Sequence, residues 1–349
     1  MKSIYDYISG MTCHVSESIL SSTNTGKVHI DEELKRYRLD PAKVTFNADG
    51  TIDYDGDVYL SNYRLTKLPF KFNRVTGEFT CGLNLLTSLE GCPHEVGGAF
   101  ECNMNKLVTL EGGPHVVGGS FQCFNNQIAS LEYAPSSVGR IFDCSYNNLT
   151  SLKGCPEIKG KNTELLCYNN SIRNWDGVPD NVSKIEAVNN QLTTLHGLPK
   201  TVKELRINAN EVTSLEGCPR SVTILHAFNN RITSLVGCSR AMHTLNVGNN
   251  YLTSLEGCPD NIWELDVNSC ELTTLKGSPK RIQWSLDING NPLTSFEGGP
   301  EEITNPGGKI LCLGVKALQG MNRAEALKYI NQFTKVKNVF LAGVFYTKK

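Results

Sequence analysis

Cysteine is the residue with the most evident chemistry in this sequence, which has 13 of them among 349 residues. In a small secreted protein that number would predict a disulfide framework. Ten of them instead recur in two regular series: Cys81, Cys102, Cys123, Cys144 and Cys167, then Cys92, Cys155, Cys218, Cys238 and Cys258. The total is odd, and Ala, Val or Ile replaces Cys at equivalent positions further along the chain. We therefore expect reduced thiols that fill a core as small apolar groups.

The cysteines match no zinc-binding pattern, and two other segments resemble ligand-binding motifs but fail in detail. No two cysteines have the C-x2-C spacing and no histidine lies at ligand spacing from the two series, so no zinc site is expected. The segment "TNTGKV" lacks the first glycine of a phosphate-binding loop and has Val28 where Ser or Thr would hold Mg²⁺. In "DYDGDV" three Asp alternate as in a calcium loop, but Arg64 stands at the closing Glu position. The histidines are scattered, so the sequence predicts no catalytic residue, no cofactor and no metal.

Charge and hydropathy argue against two classes of partner. The chain has 34 Lys and Arg against 35 Asp and Glu, so its net charge gives no reason to expect nucleic acid. No apolar run approaches the roughly 18 residues of a membrane helix, and the N-terminus lacks a signal-peptide pattern. We expect a cytoplasmic protein that contacts no membrane.

The elements that must position these side chains are copies of one repeat. The octapeptide "LTSLEGCP" occurs at Leu86–Pro93 and again at Leu252–Pro259. Each copy centres on an asparagine, in the order Asn84, Asn105, Asn126, Asn147, Asn170, Asn190, Asn210, Asn230, Asn250 and Asn291. Cys270 takes this place between the last two, and Tyr63 belongs to a weaker first copy. About twelve copies, most of 20 or 21 residues, therefore lie between 58 and 303.

Every copy has the same apolar positions around its asparagine. The residues five and three before it are apolar or Cys, such as Phe79 and Cys81 before Asn84. Because side chains alternate along a strand, these positions predict a short inward-packed strand, and the copies should stack as a parallel sheet. The asparagine then turns inward and bonds backbone groups of its own and the adjacent turn. The Gly- and Pro-rich return segment is too short for an α-helix and should run extended or as 3₁₀ turns.

The pattern "LxLxxNxLTSL" resembles the leucine-rich repeat, which also permits Cys in place of the asparagine. The short copies and the "GCP" segment are similar to the shortest class of this repeat, seen in bacterial effector proteins, and the whole is similar to leucine-rich-repeat proteins of large tailed bacteriophages. The resemblance implies a β-rich leucine-rich-repeat solenoid, with a parallel sheet on the concave face and an extended or 3₁₀ convex side. The effector family often attaches a ubiquitin-ligase domain, but residues 305–349 are too few to hold one, so that activity is not carried over.

Small caps are expected at both ends of the solenoid. The predicted segments are 1–57, 58–304 and 305–349. In the first, "VSESILSSTNTGK" should be loop or disordered, "DEELKRYRL" a short helix, and "KVTFNADGTIDYDGDVYL" a strand–turn–strand around Asp49. In the last, "NPGGKILCLGV" predicts a strand and "NRAEALKYINQF" a helix with Asn322 as N-cap and Glu325 in a capping box. The following "VKNVFLAGVFY" predicts a strand or buried segment.

Recognition is expected on the positions four and two before the asparagine, which point outward on the concave face and vary freely. Exposed aromatic side chains are the best anchors there, since they bury much area and lose little entropy on binding. The predicted partner-binding residues are Phe124, Leu166, Tyr168, Arg206, His226 and Phe228. We expect a non-enzymatic protein-binding scaffold, encoded by a phage or bacterium, that recognises a host or defence protein. A phage-encoded chain would act in the host cytoplasm.

Two alternatives stay open at this point. In the first alternative, the chain is a structural or virion-associated phage protein. In the second, the terminal segments form an enzyme or a nucleic-acid binder, because residues 309–349 carry eight basic side chains and one acidic. Only two or three of these lysines would share a face, so nucleic acid is not the expected partner. The partner's identity and the oligomeric state are left open.

Overall fold

The computed structural model describes residues 23–340. These residues divide into two compact units, the first ending at Asn170 and the second beginning at Ser171.

The first unit is built from two sheets whose strands are parallel, except that the first two strands along the chain pair antiparallel. The front sheet, whose strands precede the repeated asparagines, runs in the order β3 (Val58–Tyr59), β5 (Phe79–Thr80), β7 (Phe100–Glu101), β9 (Phe121–Gln122), β11 (Ile141–Asp143) and β13 (Glu164–Leu166). The rear sheet, formed by the return segments, runs in the order β1 (Val44–Phe46), β2 (Ile52–Tyr54), β4 (Phe72–Val75), β6 (Glu95–Val96), β8 (Val116–Val117), β10 (Ser137–Val138) and β12 (Glu157–Ile158). Equivalent positions of successive copies pair directly, as Phe79 does with Phe100.

A column of phenylalanine rings fills the core between these sheets. Phe79, Phe100, Phe121 and Phe142 are buried. Their rings stack at centroid distances of 5.7, 5.2 and 5.6 Å. Each is the fifth residue before its asparagine, so the predicted inward position is confirmed, and the regular repeat length brings like rings together.

Glycine allows the rear strands to approach one another closely. A Cβ atom on Gly118 would overlap the carbonyl oxygen of Gly97, and one on Gly139 would overlap that of Gly118. The amide of Gly118 donates to the carbonyl of Val96 at 2.8 Å. The return segments of this unit therefore run extended, as predicted, and pair as strands.

The second unit has a front sheet of the same kind. Its strands run in the order β14 (Lys184–Glu186), β15 (Glu204–Arg206), β16 (Ile224–His226), β17 (Thr244–Asn246), β18 (Asn261–Asp266), β19 (Arg281–Asp287), β21 (Lys309–Leu311) and β22 (Asn338–Phe340), and β20 (Glu302–Ile303) pairs beside β19. The residues before β15, β16 and β17 form turns instead of rear strands. The core here is aliphatic, with Leu205, Leu225 and Leu245 buried at the position that phenylalanine takes in the first unit.

The N-terminal helix corrects one prediction. Helix α1 spans Thr23–Arg36, so Thr23–Lys27, expected as loop, is helical. One face of the helix and of the turn after it is buried, at Ile30, Leu34 and Tyr37. This apolar face anchors the helix, and the Ser- and Thr-rich local composition does not decide where it begins. The rest of that predicted loop lies outside the described residues.

The strand–turn–strand after the helix is confirmed, because β1 and β2 pair antiparallel around Asp49. The carboxylate of Asp49 accepts hydrogen bonds from the amide and hydroxyl of Thr51, at 3.0 and 2.7 Å. These bonds hold the pKa of Asp49 below its ordinary value. Two of the aspartates that resemble a calcium loop bond the following copy instead: Asp53 accepts from the side chain of Asn73 at 2.7 Å, and Asp57 from the amide of Glu78 at 2.8 Å.

The C-terminal elements follow their sequence patterns. A 3₁₀ turn at Lys316–Leu318 leads to helix α2, Arg323–Ile330. Asn322 accepts from the amide of Glu325 at 3.1 Å, while the Glu325 carboxylate accepts from the amide of Asn322 at 2.8 Å. This is the predicted capping box. Strand β22 then pairs with β21, as the apolar segment predicts, and residues 341–349 lie outside the described range.

Candidate protein-binding surface

A ladder of asparagine side chains fixes the end of each front strand. In Asn84, Nδ2 donates to the carbonyls of Cys81, in its own copy, and Leu60, in the preceding copy, at 3.0 and 2.8 Å. Its Oδ1 accepts from the amides of Tyr63 and Leu65, both at 3.0 Å. The predicted bonding to the same and the adjacent turn is therefore confirmed. Each amide satisfies backbone groups that would otherwise be buried without partners.

The residue just before each ladder asparagine has a left-handed backbone, which the sequence analysis missed. The φ angle at these positions lies between 51° and 67°, at Leu83, Met104, Asn125, Tyr146, Asn169, Asn189, Ala209, Asn229, Asn249, Ser269 and Gly290. Glycine and asparagine tolerate this conformation best. Their frequency at one fixed position was a signal that could have revealed the turn. A large apolar residue there is an outlier that the fold does not require.

Three of the predicted binding residues lie in the first unit. Phe124, Leu166 and Tyr168 are half-buried on the outward side of the front sheet. Leu166 and Tyr168 share one copy, and Phe124 stands two copies earlier. Between Phe124 and Tyr168 the equivalent position is Ser145, which is 0% exposed.

The other three lie in the second unit. Arg206 and His226 oppose each other on β15 and β16, and Phe228 follows with 36% of its surface exposed. Nε of Arg206 donates to Oε1 of Glu204 at 2.7 Å and lies 3.6 Å from Oε1 of Glu186. Two carboxylates of the sheet therefore hold this guanidinium in place. Burial, and then the charge of Arg206, lowers the pKa of His226, so the imidazole is neutral at pH 7.

Several exposed apolar side chains were not predicted. Leu83, Met104 and Tyr146, at left-handed positions in the first unit, are 53%, 40% and 52% exposed. In the second unit Trp263 and Trp284 are exposed near a bulge between β18 and β19. His243 stacks on Trp263 with ring centroids 5.3 Å apart. In three successive copies an aromatic ring stands seven residues before the ladder position, which is Asn250, Cys270 and Asn291 in turn. This recurrence was a signal for the exposed rings of the second unit.

Acidic side chains lie on the front sheet of the first unit. Burial raises the pKa of Glu101, and the neighbouring carboxylate of Glu78 raises it further. The side-chain amide of Gln122 donates to Oε1 of Glu101 at 3.4 Å. Like charges on adjacent copies therefore oppose each other, which a positively charged partner would relieve.

The cysteines between residues 23 and 340 offer no reactive site. Twelve lie among the described residues, and none of the twelve is in a disulfide. Burial raises the pKa of Cys218 to about 11 and that of Cys238 to about 12. Such thiols stay protonated at neutral pH and are poor nucleophiles. Over residues 23–340, no group of three or more His, Cys, Asp and Glu is arranged to hold a metal ion.

The strand order, the asparagine ladder and the repeat length together define a leucine-rich-repeat solenoid of about twelve short turns with small terminal caps. Within the described part of the chain, no helix has the length and apolar character to span a bilayer. The sequence matches no protein-family model and no curated protein.

Similar solved structures include two proteins from Yersinia and one from Listeria. YopM from Yersinia enterocolitica WA-314 is 17% identical with a TM-score of 0.46, over 90% of this chain and 73% of that one. YopM from Yersinia pestis, a leucine-rich effector protein, is 15% identical with a TM-score of 0.47, over 89% and 99%. The functional domain of InlJ from Listeria monocytogenes, which includes a cysteine ladder, is 15% identical with a TM-score of 0.42, over 74% and 73%.

Proposed function

We propose that this chain is a non-enzymatic protein-binding scaffold, encoded by a bacterium or phage, that recognises a host or defence protein. Binding takes place on the outward face of the front sheet, the face expected to be concave. The proposed anchors are Phe124, Leu166 and Tyr168 in the first unit, and Arg206, His226 and Phe228 in the second. Segments 1–57 and 305–349 act as caps on the repeats of 58–304.

One observation carries this proposal. The inward positions of the front strands hold an apolar residue or Cys in every copy, while the outward positions hold charged, polar and aromatic residues without a pattern. Packing explains the first set and leaves the second free, so the second set is available for recognition. Half-exposed aromatic rings on a rigid sheet are the side chains that most often dominate binding energy.

The test is capture of a partner from bacterial lysate on the immobilised chain. We expect a partner retained by the wild-type chain to be lost by the double variant Phe124→Ala/Tyr168→Ala. Tyr133→Ala is the matched control, because Tyr133 is an exposed aromatic residue of the first unit outside the front sheet. Phe228→Ala tests the second unit in the same way.

Two results would count against the proposal. Equal capture by the double variant and the control, with both melting as wild type does, would mean that the front sheet is not the binding face. Recovery of the chain as a stoichiometric component of purified phage particles would favour the virion-associated alternative.

A further inference from the structure

The first unit carries a row of large apolar side chains at the carboxyl ends of its front strands. Five successive copies each contribute one member, and we call the row the apolar strip: Leu83, Met104, Phe124, Tyr146 and Tyr168. Backbone bonds join two pairs of its members: the amide of Met104 donates to the carbonyl of Phe124, and that of Tyr146 to the carbonyl of Tyr168, both at 2.9 Å. The rings of Tyr146 and Tyr168 also meet edge to face at 5.3 Å. Because the front strands of successive copies pair in register, the five positions follow one another along the sheet.

The fold by itself does not favour this strip. Leu83, Met104 and Tyr146 have φ angles of 55°, 54° and 52°, where a side chain with a Cβ atom is disfavoured. At the equivalent positions of the second unit the chain uses Asn229, Asn249 and other small or polar residues. Nor do the three side chains fill the core, since about half of the surface of each is exposed. Unfavourable conformation combined with exposed apolar surface points to a requirement outside the fold, namely contact with a partner.

The charges beside the strip define the chemistry of that partner. In and beside strands β3 to β13, the outward positions lie six, four and two residues before Tyr63 or the ladder asparagine. The charged residues at these positions are all acidic: Asp57, Glu78, Glu101, Asp143 and Glu164. No Lys or Arg stands at any of these positions between residues 57 and 168. Glu78 and Glu101 form no ion pair with any residue of the described range. A partner therefore meets the apolar strip and, on its strand side, acidic side chains that favour Lys and Arg.

The spacing of the strip selects the conformation of the partner. Adjacent copies stack about 4.8 Å apart, so five copies span about 19 Å along the sheet. Along one face of an α-helix, successive turns are about 5.4 Å apart, and about 13 residues cover the same length. Alternate side chains of an extended strand are about 6.6 Å apart and fall out of step sooner. An amphipathic helix fits the row more closely.

We propose that the apolar strip and the acidic positions beside it bind a cationic amphipathic helix of a partner protein. The apolar face of this helix packs on the strip, and its basic side chains face Glu78, Glu101 and their neighbours. The inference rests on the proposed function and specifies the partner's chemistry.

The test uses a fluorescent 18-residue helical peptide with Leu on one face and Lys on the other, titrated with the full chain in an anisotropy assay. Two further peptides are compared with it, one with the same composition scrambled and one with Glu in place of Lys. The informative variant is Met104→Asn/Tyr146→Asn. Asparagine suits the left-handed backbone, so these changes remove the apolar side chains without opposing the fold. Tyr133→Asn removes an exposed ring elsewhere in the first unit and is the control.

We expect the double variant to bind the cationic peptide at least tenfold more weakly and the control to bind within twofold of wild type. Glu78→Gln/Glu101→Gln should weaken binding and flatten its dependence on salt. The Glu-containing and scrambled peptides should not bind, and the bound cationic peptide should be helical by circular dichroism.

Four outcomes would overturn the inference: no binding of the cationic peptide, equal binding by the double variant, equal binding of the Glu-containing peptide, or a bound peptide that is not helical. Concentration-dependent dimerisation of the chain that the double variant abolishes would also overturn it, because a second copy would then cover the strip. These outcomes are separable from failure of the proposed function. If a lysate partner is lost on Phe124→Ala/Tyr168→Ala but the peptide does not bind, the proposed function is supported and only the inference about the helix fails.

Discussion

Two adjacent asparagines allow a direct test of the ladder. Asn147 is 8% exposed, and its Nδ2 donates to the carbonyls of Cys123 and Cys144, both at 3.1 Å. Its Oδ1 accepts from the amide of Ile128 at 3.0 Å. The two carbonyls also accept from neighbouring asparagines, Cys123 from Asn126 at 3.0 Å and Cys144 from Asn170 at 3.1 Å, so Asn147→Ala leaves only the Ile128 amide buried without a partner. One unsatisfied buried group costs about 1–3 kcal/mol. We expect a loss of that size in the free energy of unfolding.

The control is Asn148→Ala, the same substitution one residue later. Asn148 is exposed, and its single side-chain bond, to the carbonyl of Gln127, is long at 3.4 Å. Replacement of a solvated side chain of this kind changes stability by less than about 0.5 kcal/mol. Urea denaturation of the two variants measures the difference.

Hydrogen exchange supplies a local readout, since a repeat array can open in part before it unfolds as a whole. The amide of Ile128 should lose protection in Asn147→Ala and keep it in Asn148→Ala. Equal urea midpoints together with an unchanged Ile128 amide would refute the ladder as a source of stability.

Three further predictions concern backbone strain, the thiols and pH. Leu83→Asn should raise the free energy of unfolding by about 1 kcal/mol, because asparagine suits its left-handed backbone. The control is Leu85→Asn, at an exposed position without that backbone, which should give no gain in urea denaturation. Thiol titration should find almost no reactive cysteine in the folded chain and 13 after denaturation without reductant, since the twelve described thiols are buried or half-buried; a mass lower by several pairs of hydrogens would contradict this. Glu101→Gln should stabilise the chain at neutral pH. The folded state raises the pKa of Glu101 above its ordinary 4.5, so wild-type stability falls as pH rises from there through the folded-state pKa, and the advantage of the variant should grow over that range and then level off. An advantage that is constant with pH in urea denaturation would be evidence against this environment for Glu101.

The periodic features of the fold were predictable from the sequence because they depend on repetition. A position such as Phe100 has the same neighbours in every copy, so its pattern alone shows that it faces inward. The same holds for the ladder asparagines, whose bonds join equivalent atoms along the chain. The capping box at Asn322 was predictable for a different reason, since its partners lie three residues apart.

Features that depend on an exception to the repeat were not predictable. Tyr146 is such an exception, because a tyrosine gives no signal of a left-handed backbone. Only the asparagines at the equivalent position of other copies indicate that conformation. Arg206 is a free anchor by sequence but is held by Glu186 and Glu204, one of which belongs to the preceding copy. Trp263 lies near a bulge that shifts the register between β18 and β19. Helix α1 begins where tertiary burial of Ile30 supports it, in a segment that local composition assigns to a loop.

The ladder also makes the copies of the first unit interchangeable. Asn126 bonds the carbonyls of Cys123 and Cys102 and the amide of Leu107, so it connects its own copy with the preceding one and reaches no further. Removal of residues 106–126 would place Asn147 in the same relation to Cys102, with the phenylalanine column unbroken. Recombination between copies can therefore lengthen or shorten the array without new joints. The extent of surface that a partner meets is then set by the number of copies, and it can change while the chemistry holding the copies together stays the same.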